Sequence, residues 1–257
     1  MKVTVLGCGS SGGVPLISGD WGRCDPSNPR NRRRRVSVLV ETAGARILID
    51  ASPDLRVQLL DAGVTGIDAV LFTHHHADHC HGLDDLRALV YLRKAPIPAF
   101  MDAETQAELT LRFGYAFTSS CPPGGLYRPL LEDRVIAGAF EAAGVPVTPF
   151  VQGHGEGRSL GFRIGDLAYS TDVSELDDAA FAALDGVRLW IVDCLQDEPH
   201  PTHSHRAQTL AWIARLKPER ALLTHMNHKT DYAELKAKCP QGVEPAYDGQ
   251  VVELSDA

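Results

Sequence analysis

The segment Thr73-His74-His75-His76-Ala77-Asp78-His79 contains the pattern His-x-His-x-Asp-His, with imidazoles at His74, His76 and His79 and a carboxylate at Asp78. It follows the apolar run Ala69-Val70-Leu71-Phe72 and precedes the helix-like stretch Gly82–Leu89. Imidazole nitrogens and carboxylate oxygens suit zinc, iron or manganese, and this many ligands exceeds what one tetrahedral ion can use. The spacing predicts a two-metal site, with His74 and His76 on one ion and Asp78 and His79 on the other. Later apolar runs end in further ligand types. His154 lies between two glycines just past the strand-like Val145–Val151, and fits a third ligand for the first ion. Asp172 follows Leu167–Ser170 and is the natural bridge between two cations; its other reading is an N-cap for a helix near Glu175–Leu184. His225 follows Arg220–Thr224, repeats the order apolar strand, Thr, His, and completes the second ion.

The full set is then His74, His76 and His154 on one ion, Asp78, His79 and His225 on the other, and Asp172 between them. Five neutral imidazoles and two carboxylates set −2 against the +4 of two divalent ions. With a bridging hydroxide about +1 is left, which suits an anionic substrate. Two ions about 3.5–4 Å apart lower the pKa of a shared water, polarise the scissile centre and steady the leaving oxygen. Hydrolysis of a phosphodiester, a thioester or a lactam fits that apparatus, and no redox cofactor is needed. A phosphodiester releases an alkoxide, which needs a proton, and a histidine can supply it. His203, just before a helix and outside the ligand count, is the candidate acid, with His205 and His200 as rivals. His203 and Asp78 are the candidate catalytic residues, Asp78 being a ligand as well.

The elements that must position these groups are legible in part. Met1–Gly7 reads as a first strand, and Gly7–Gly13 formally contains Gly-x-Gly-x-x-Gly. A dinucleotide fold would need a helix to start there. Pro15, Gly19 and Gly22 follow instead, so a tight loop is expected. The run Arg30–Arg35 reads either as a solvated, charge-balancing face or as the source of one guanidinium for a substrate phosphate. Val36–Glu41 and Arg46–Asp50 form an expected hairpin, and Asp50 either supports the metal loop or caps a helix over Pro53–Ala62. A strand is expected at Ile97–Met101 and a helix at Ala103–Arg112. Tyr115–Pro129 is loop-rich around Pro122-Pro123-Gly124-Gly125. A hairpin over Leu160–Ile164 and Leu167–Ser170, a strand at Leu189–Asp193, and a helix over Arg206–Leu216 with Ser204 as its N-cap come next. A closing hairpin turns from Pro245-Ala246-Tyr247 through Asp248-Gly249 into Gln250–Leu254. Strand-rich segments joined by helices predict an α/β layered fold, with residues 1–257 as a single domain.

The whole chain has 257 residues, 44% hydrophobic and 23% charged, as in an ordinary globular protein. Its net charge of −8 argues against broad binding of nucleic acid or an anionic membrane. Six cysteines, at 8, 24, 80, 121, 194 and 239, form no Cys-x-x-Cys pair and read as reduced thiols. No signal peptide or membrane-length apolar run is evident, so a cytoplasmic location is expected.

His74-x-His76-x-Asp78-His79, with His154, Asp172 and His225, resembles the metallo-β-lactamase superfamily. The resemblance implies a four-layer αβ/βα sandwich with a dinuclear site along one edge. Gly7–Pro15, the arginine-rich segment, Ile49-Asp50-Ala51, Leu223-Thr224-His225 and Tyr247-Asp248-Gly249 further resemble the cyclic-phosphate phosphodiesterases of phosphonate metabolism. That branch implies hydrolysis of a small, ribosyl cyclic phosphodiester with two Mn2+ or Zn2+ ions, an acid histidine matching His203, and a homodimer. It also often carries a structural zinc on three cysteines and a histidine matching His228. Here Cys24 stands alone, so that zinc is expected to be absent. The rival readings are a glyoxalase-II-like thioesterase, a transfer-RNA 3′-processing nuclease, and a non-catalytic carrier such as those linked to quinone-cofactor synthesis. The nuclease would be expected to carry a basic RNA-docking arm, and the carriers tend to have degraded metal motifs.

Overall fold

Along Ser37–Thr42 and Ala45–Ile49, successive side chains alternate between two separate cores. Val38, Val40, Ile47 and Ile49 enter one, and Leu39 and Leu48 enter the other. A strand apolar on both faces must be covered on both faces, which calls for layers. The computed structural model, described for residues 1–120 and 128–255, shows how this is met.

Among the described residues fourteen strands form two seven-stranded sheets. The first half of the chain supplies β1 (Lys2–Gly7), β2 (Ser37–Thr42), β3 (Ala45–Ile49), β4 (Ala69–Leu71), β5 (Ile97–Met101) and β6 (Leu131–Val135), with helices α1 (Leu55–Asp61), α2 (Ala77–Cys80), α3 (Arg87–Arg93) and α4 (Ala103–Phe113) between them. The second half supplies β7 (Phe140–Ala142), β8 (Val145–His154), β9 (Gly157–Ile164), β10 (Leu167–Ser170), β11 (Leu189–Asp193), β12 (Arg220–Thr224) and β13 (Val243–Pro245), with helices α5 (Asp178–Leu184), α6 (Arg206–Leu216) and α7 (Tyr232–Lys238). The last strand, β14 (Gln250–Glu253), returns to the first sheet.

The sheet orders are β14-β1-β2-β3-β4-β5-β6 and β13-β12-β11-β10-β9-β8-β7. In each, one side is antiparallel and the other parallel: β3, β4, β5 and β6 run parallel in the first sheet, and β10, β11, β12 and β13 in the second. The larger core takes Val3, Val5, Ile47 and Ile49 of the first sheet together with Phe162, Tyr169, Ile191 and Leu223 of the second. The smaller core takes Leu55, Leu59, Val90 and Leu109 from the helices lying on the first sheet. The result is the αβ/βα sandwich. Where the parallel strands end, the sheets are joined directly, Leu160 N donating to Thr73 O at 2.8 Å and Met226 N to Cys8 O at 3.0 Å.

Three expectations are corrected. The C-terminal hairpin does not form: β13 pairs with β12, whereas β14 pairs with β1, so residues 246–249 cross between the sheets. The crossing is held from both sides. Ala246 N donates to Leu223 O, Gly249 N to Val5 O, and the Asp248 carboxylate accepts from the Cys8 and Arg34 amides at 3.1 and 2.8 Å. Ser204 does not cap α6, because its hydroxyl donates to Asp193 O at 2.6 Å and the N-cap position is His205. The stretch Gly82–Leu89 is not one helix but a 3-10 turn, Leu83–Leu86, running into α3. The strands β6, β7 and β13 and the helix α7 were not anticipated. Pro122-Pro123-Gly124-Gly125 lies outside the described residues. The glycines of Gly7–Gly13 serve close packing: a Cβ at Gly9 would lie 2.8 Å from Arg33 Cβ and 2.9 Å from Arg34 O. No described helix is long and apolar enough to cross a membrane.

Candidate metal centre

Strand ends converge on one edge of the sandwich and bring ligand side chains with them. β4 leads through Phe72 and Thr73 to His74 and His76, and the single turn of α2 then carries Asp78 and His79 inward. His154 is the last residue of β8, and Asp172 and His225 follow β10 and β12. Donor atoms of His74, His76, His154 and Asp172 all lie within 4.8 Å of one another, and so do those of Asp78, His79 and His225. Asp172 joins the groups. Its Oδ1 faces His154 Nε2 at 3.7 Å and His74 Nε2 at 3.8 Å, and its Oδ2 faces His79 Nε2 at 3.1 Å and His225 Nε2 at 3.3 Å. The seven residues predicted as ligands are thus brought together, with Asp172 central. Asp172 caps no helix, since Asp177 holds that position on α5 and accepts from Ala180 N.

Three of the imidazoles are held by their outer nitrogens. His79 Nδ1 bonds Asp50 Oδ2 at 2.7 Å, His154 Nδ1 donates to Thr202 O at 2.7 Å, and His74 Nδ1 lies 3.0 Å from Thr73 Oγ1. Asp50 therefore supports the metal loop; it also accepts from Thr73 N at 2.8 Å and does not cap α1. With Nδ1 so engaged, the Nε2 atoms of His79 and His154 are turned toward the centre. The Nε2 atoms of His74, His79 and His225 are buried and lack hydrogen-bond partners among the described residues. Buried polar atoms are rarely left this way. Inward-facing imidazole nitrogens around shared carboxylates fit divalent cations, and these residues would hold them.

The backbone is shaped for this. Asp50, Asp172 and His225 have φ of 62°, 53° and 59°, the left-handed region in which a non-glycine residue costs about 1–3 kcal/mol. All three stand within two residues of a strand end, where the turn aims the side chain across the edge.

The two groups differ in charge state. Burial holds the His74, His76 and His154 imidazoles below their ordinary range. For His225 burial also acts downward, but Asp172, Asp78 and Asp193 outweigh it and push the group up to about 9. His79 is likewise lifted well above its usual value by Asp172, Asp78 and Asp50 against the effect of burial. Burial favours the neutral form of Asp172, yet His225, His79 and His74 hold it well below the usual carboxylate range.

His203 lies beside this centre. Its Nδ1 bonds Asp193 Oδ2 at 2.9 Å, its Nε2 faces Asp172 Oδ1 at 3.8 Å, and its ring stacks on His225 with centroids 4.6 Å apart. His200 lies at the rim, 5.3 Å from the His203 ring, and the side chain of His205 is not among these contacts. Asp193 was missed in the sequence. The available signal was that Leu189–Val192 ends in aspartate, as Arg46–Ile49 does before Asp50. Arg112 was missed as well, and nothing in its own neighbourhood marks it. From α4 it donates to His75 O at 2.7 Å and lies 2.8 Å from His75 Nδ1, which holds the middle of the His-rich loop.

The arginine run is mostly spoken for. Arg30 lies 4.9 Å over the Tyr232 ring and 4.7 Å over Tyr247, Arg32 stacks on Trp21, and Arg35 pairs with Asp54 at 2.9 Å. Arg33 is buried outright, at 2% exposure. Cys24 is buried, its thiol donating to His228 O and Thr230 O.

Residues 45–226 match the β-lactamase superfamily domain. The chain is 36% identical to a diphosphatase of the PhnP family whose crystal structure superposes with a TM-score of 0.90, covering 99% of this chain and 98% of that one. It is 32% identical to an octanoyltransferase of Porphyromonas gingivalis over 97% of this chain, and it spans about half, 51%, of that protein's length. Zn2+-bound PqqB from Methylobacterium extorquens shares the fold at a TM-score of 0.78 and 21% identity, over 99% of this chain and all of that one.

Proposed function

The chain belongs to the β-lactamase superfamily, and we propose that within it the protein is a hydrolase using two divalent metal ions, Mn2+ or Zn2+, on a small, ribosyl cyclic-type phosphodiester. The ions, when bound, supply Lewis acidity and activate water. The chain's own residues do the rest. Asp172, shared by both ligand groups, fixes their spacing. Asp50 and Thr202 O orient His79 and His154 so that Nε2 stays inward.

The observation that carries the reading is the Asp193–His203 pair, 2.9 Å apart beside the ligand ring. Asp193 holds Nδ1, so Nε2 is the atom that meets the leaving group. An alkoxide is a poor leaving group and gains from a positioned acid, by about 10²–10⁴-fold. A thiolate, whose conjugate acid has a pKa near about 8.5, gains little. The pair therefore supports a phosphodiester over a thioester. The net charge of −8 favours a small substrate over a large nucleic acid. The intact ligand set favours catalysis over a carrier role.

The similarity to a PhnP-family diphosphatase supports a second reading, in which the bond broken joins two phosphoryl groups. The leaving phosphate then needs no acid. The test is turnover by metal-stripped protein reloaded with manganese or zinc on four substrates: bis-p-nitrophenyl phosphate, a ribosyl cyclic phosphate, a dinucleoside diphosphate and S-lactoylglutathione. Asp172→Ala is the blank. Cyclic-diester turnover that disappears in the blank is expected. Thioester turnover alone would overturn the proposal, and turnover of the diphosphate alone would replace it with the second reading.

A further inference from the structure

Of the four buried histidines in the candidate ligand set, His225 is the one whose outer nitrogen has no hydrogen-bond partner among the described residues. His225 Nδ1 is buried without a hydrogen-bond partner among the described residues, whereas His74, His79 and His154 have Thr73, Asp50 and Thr202 at theirs. Its ring direction is set by its left-handed backbone, by the His203 stack, and by whatever fixes the chain on either side. Upstream, β12 is locked into the sheet. Downstream, residues 226–230 leave the sheet and are held by the long loop between β1 and β2 on one side and by Leu195 and Gln196 on the other.

The anchor from the β1–β2 loop is Arg33. Its Nη1 donates to Thr230 O at 2.8 Å and to Asn227 O at 3.2 Å, and its Nη2 to Asn31 Oδ1 at 3.3 Å. Asn31, itself fully buried, accepts from Tyr232 N and donates to Asp231 Oδ2 at 2.6 Å. Arg33 also exchanges both backbone hydrogen bonds with Val14 at 2.9 Å, so one residue ties the Gly-rich loop to the segment leaving the centre. Among the described residues no carboxylate pairs directly with this guanidinium. A buried cation satisfied chiefly by main-chain carbonyls is costly to keep, and here those carbonyls begin two residues past His225.

We propose that Arg33 is the positioning residue for the metal ion on the His225 side. It sets the path of residues 226–230, and through that path the direction of the otherwise unheld His225 ring. His74 and His76 follow β4 and His154 ends β8, away from the segment after β12, so an ion held by them would not depend on it. The inference rests on the two-ion reading.

The test is metal titration of the purified wild type, Arg33→Gln and Arg33→Lys with Zn2+ against a chromophoric chelator, alongside circular dichroism and thermal melting. Wild type is expected to bind two equivalents. Folded Arg33→Gln is expected to keep the first at unchanged affinity and bind the second at least tenfold more weakly. Arg33→Lys, which retains a donor for one carbonyl, should fall between them and serves as the readout if the glutamine variant does not fold. A merely structural role would lower the melting temperature and leave the ratio of the two affinities alone, which would overturn the inference. So would a folded variant with both affinities unchanged. A wild type that binds one ion overturns the two-ion reading, and the inference with it.

Discussion

Two strand pairs frame the centre, one in each sheet, and they end alike. β3 and β4 run parallel and lead to Asp50 and to Thr73-His74; β11 and β12 run parallel and lead to Asp193 and Thr224-His225. In both, the aspartate bonds an imidazole Nδ1, Asp50 that of His79 at 2.7 Å and Asp193 that of His203 at 2.9 Å. The difference lies in the threonine. Thr73 closes on Asp50 with its amide at 2.8 Å and its hydroxyl at 2.9 Å. Thr224 Oγ1 and Asp193 Oδ1 are buried without partners among the described residues. The His79–Asp50 pair is sealed, while the His203 side chain retains 12% exposure. One device thus serves two ends. Saturated and dry, it fixes the His79 ring toward the cluster; looser and reachable from solvent, it leaves His203 where the proposed acid would need to be.

The largest expected effect comes from the group both pairs converge on. Asp172→Ala removes the carboxylate facing His74, His79, His154, His203 and His225. Several kcal/mol of charge organisation go with it, so turnover should fall by about 10³-fold or more and metal content should drop. Retained turnover on diesters would show that neither pair works through Asp172.

The two aspartates should then separate. Asp193→Asn is expected to cost about 10²-fold in kcat on a diester with an alkyl leaving group and far less on a p-nitrophenyl ester, with metal content unchanged. Asp50→Asn should instead weaken metal binding by about 10–100-fold and slow both substrates together. Equal leaving-group sensitivity in the two variants, read from kcat ratios, would erase the distinction.

Much of this arrangement could be read from residue order, and what escaped did so for physical reasons. The candidate ligands were legible because they follow apolar runs of strand length, singly as in Leu222-Leu223-Thr224-His225 or as the His-x-His-x-Asp-His cluster after Ala69–Phe72. The strands β3, β5, β11 and β12 were legible from the same runs. Asp193 escaped because a lone aspartate after a strand is equally a turn or cap residue, and only the fold brings His203 back ten residues later to meet it. Arg112 and Arg33 escaped because their partners are mainly backbone carbonyls, which carry no sequence signature. The C-terminal crossing was mistaken for a hairpin because Asp-Gly is the commonest hairpin signal. Here the Asp248 side chain is drawn onto the Cys8 and Arg34 amides instead. The edge strands β6, β7 and β13 are short or weakly apolar, and their partners lie far along the chain or across a turn.

The charge states give the third contrast. A bound ion needs neutral imidazole, so any proton must leave first. His74, His76 and His154 are held below their usual range and are already neutral at pH 7. His225, at about 9 in the metal-free protein, and His79, raised well above its ordinary value, each carry a proton there. Affinity on that side should therefore climb with pH by about tenfold or more per unit up to about 9, whereas affinity on the other side stays flat above about pH 6.5. Calorimetry in buffers of different ionisation enthalpy would count the protons. Equal release for both ions would break the contrast.

The smallest effect tests the threonines directly. Thr73→Val deletes a hydroxyl bonded to Asp50 and leaves a fully buried carboxylate short of a donor, which should cost about 1–3 kcal/mol in urea unfolding of the metal-free protein. Thr224→Val deletes a buried hydroxyl without a partner among the described residues, so the exchange should stay within about 0.5 kcal/mol or stabilise. The two positions hold the same residue type, precede a ligand histidine and are fully buried, so side-chain volume and burial cancel between them. What remains is whether the hydroxyl is engaged. Equal costs would mean that Thr224 is bonded in solution, that the Asp193 pair is as closed as the Asp50 pair, and that exposure of His203 alone must account for any difference in proton transfer.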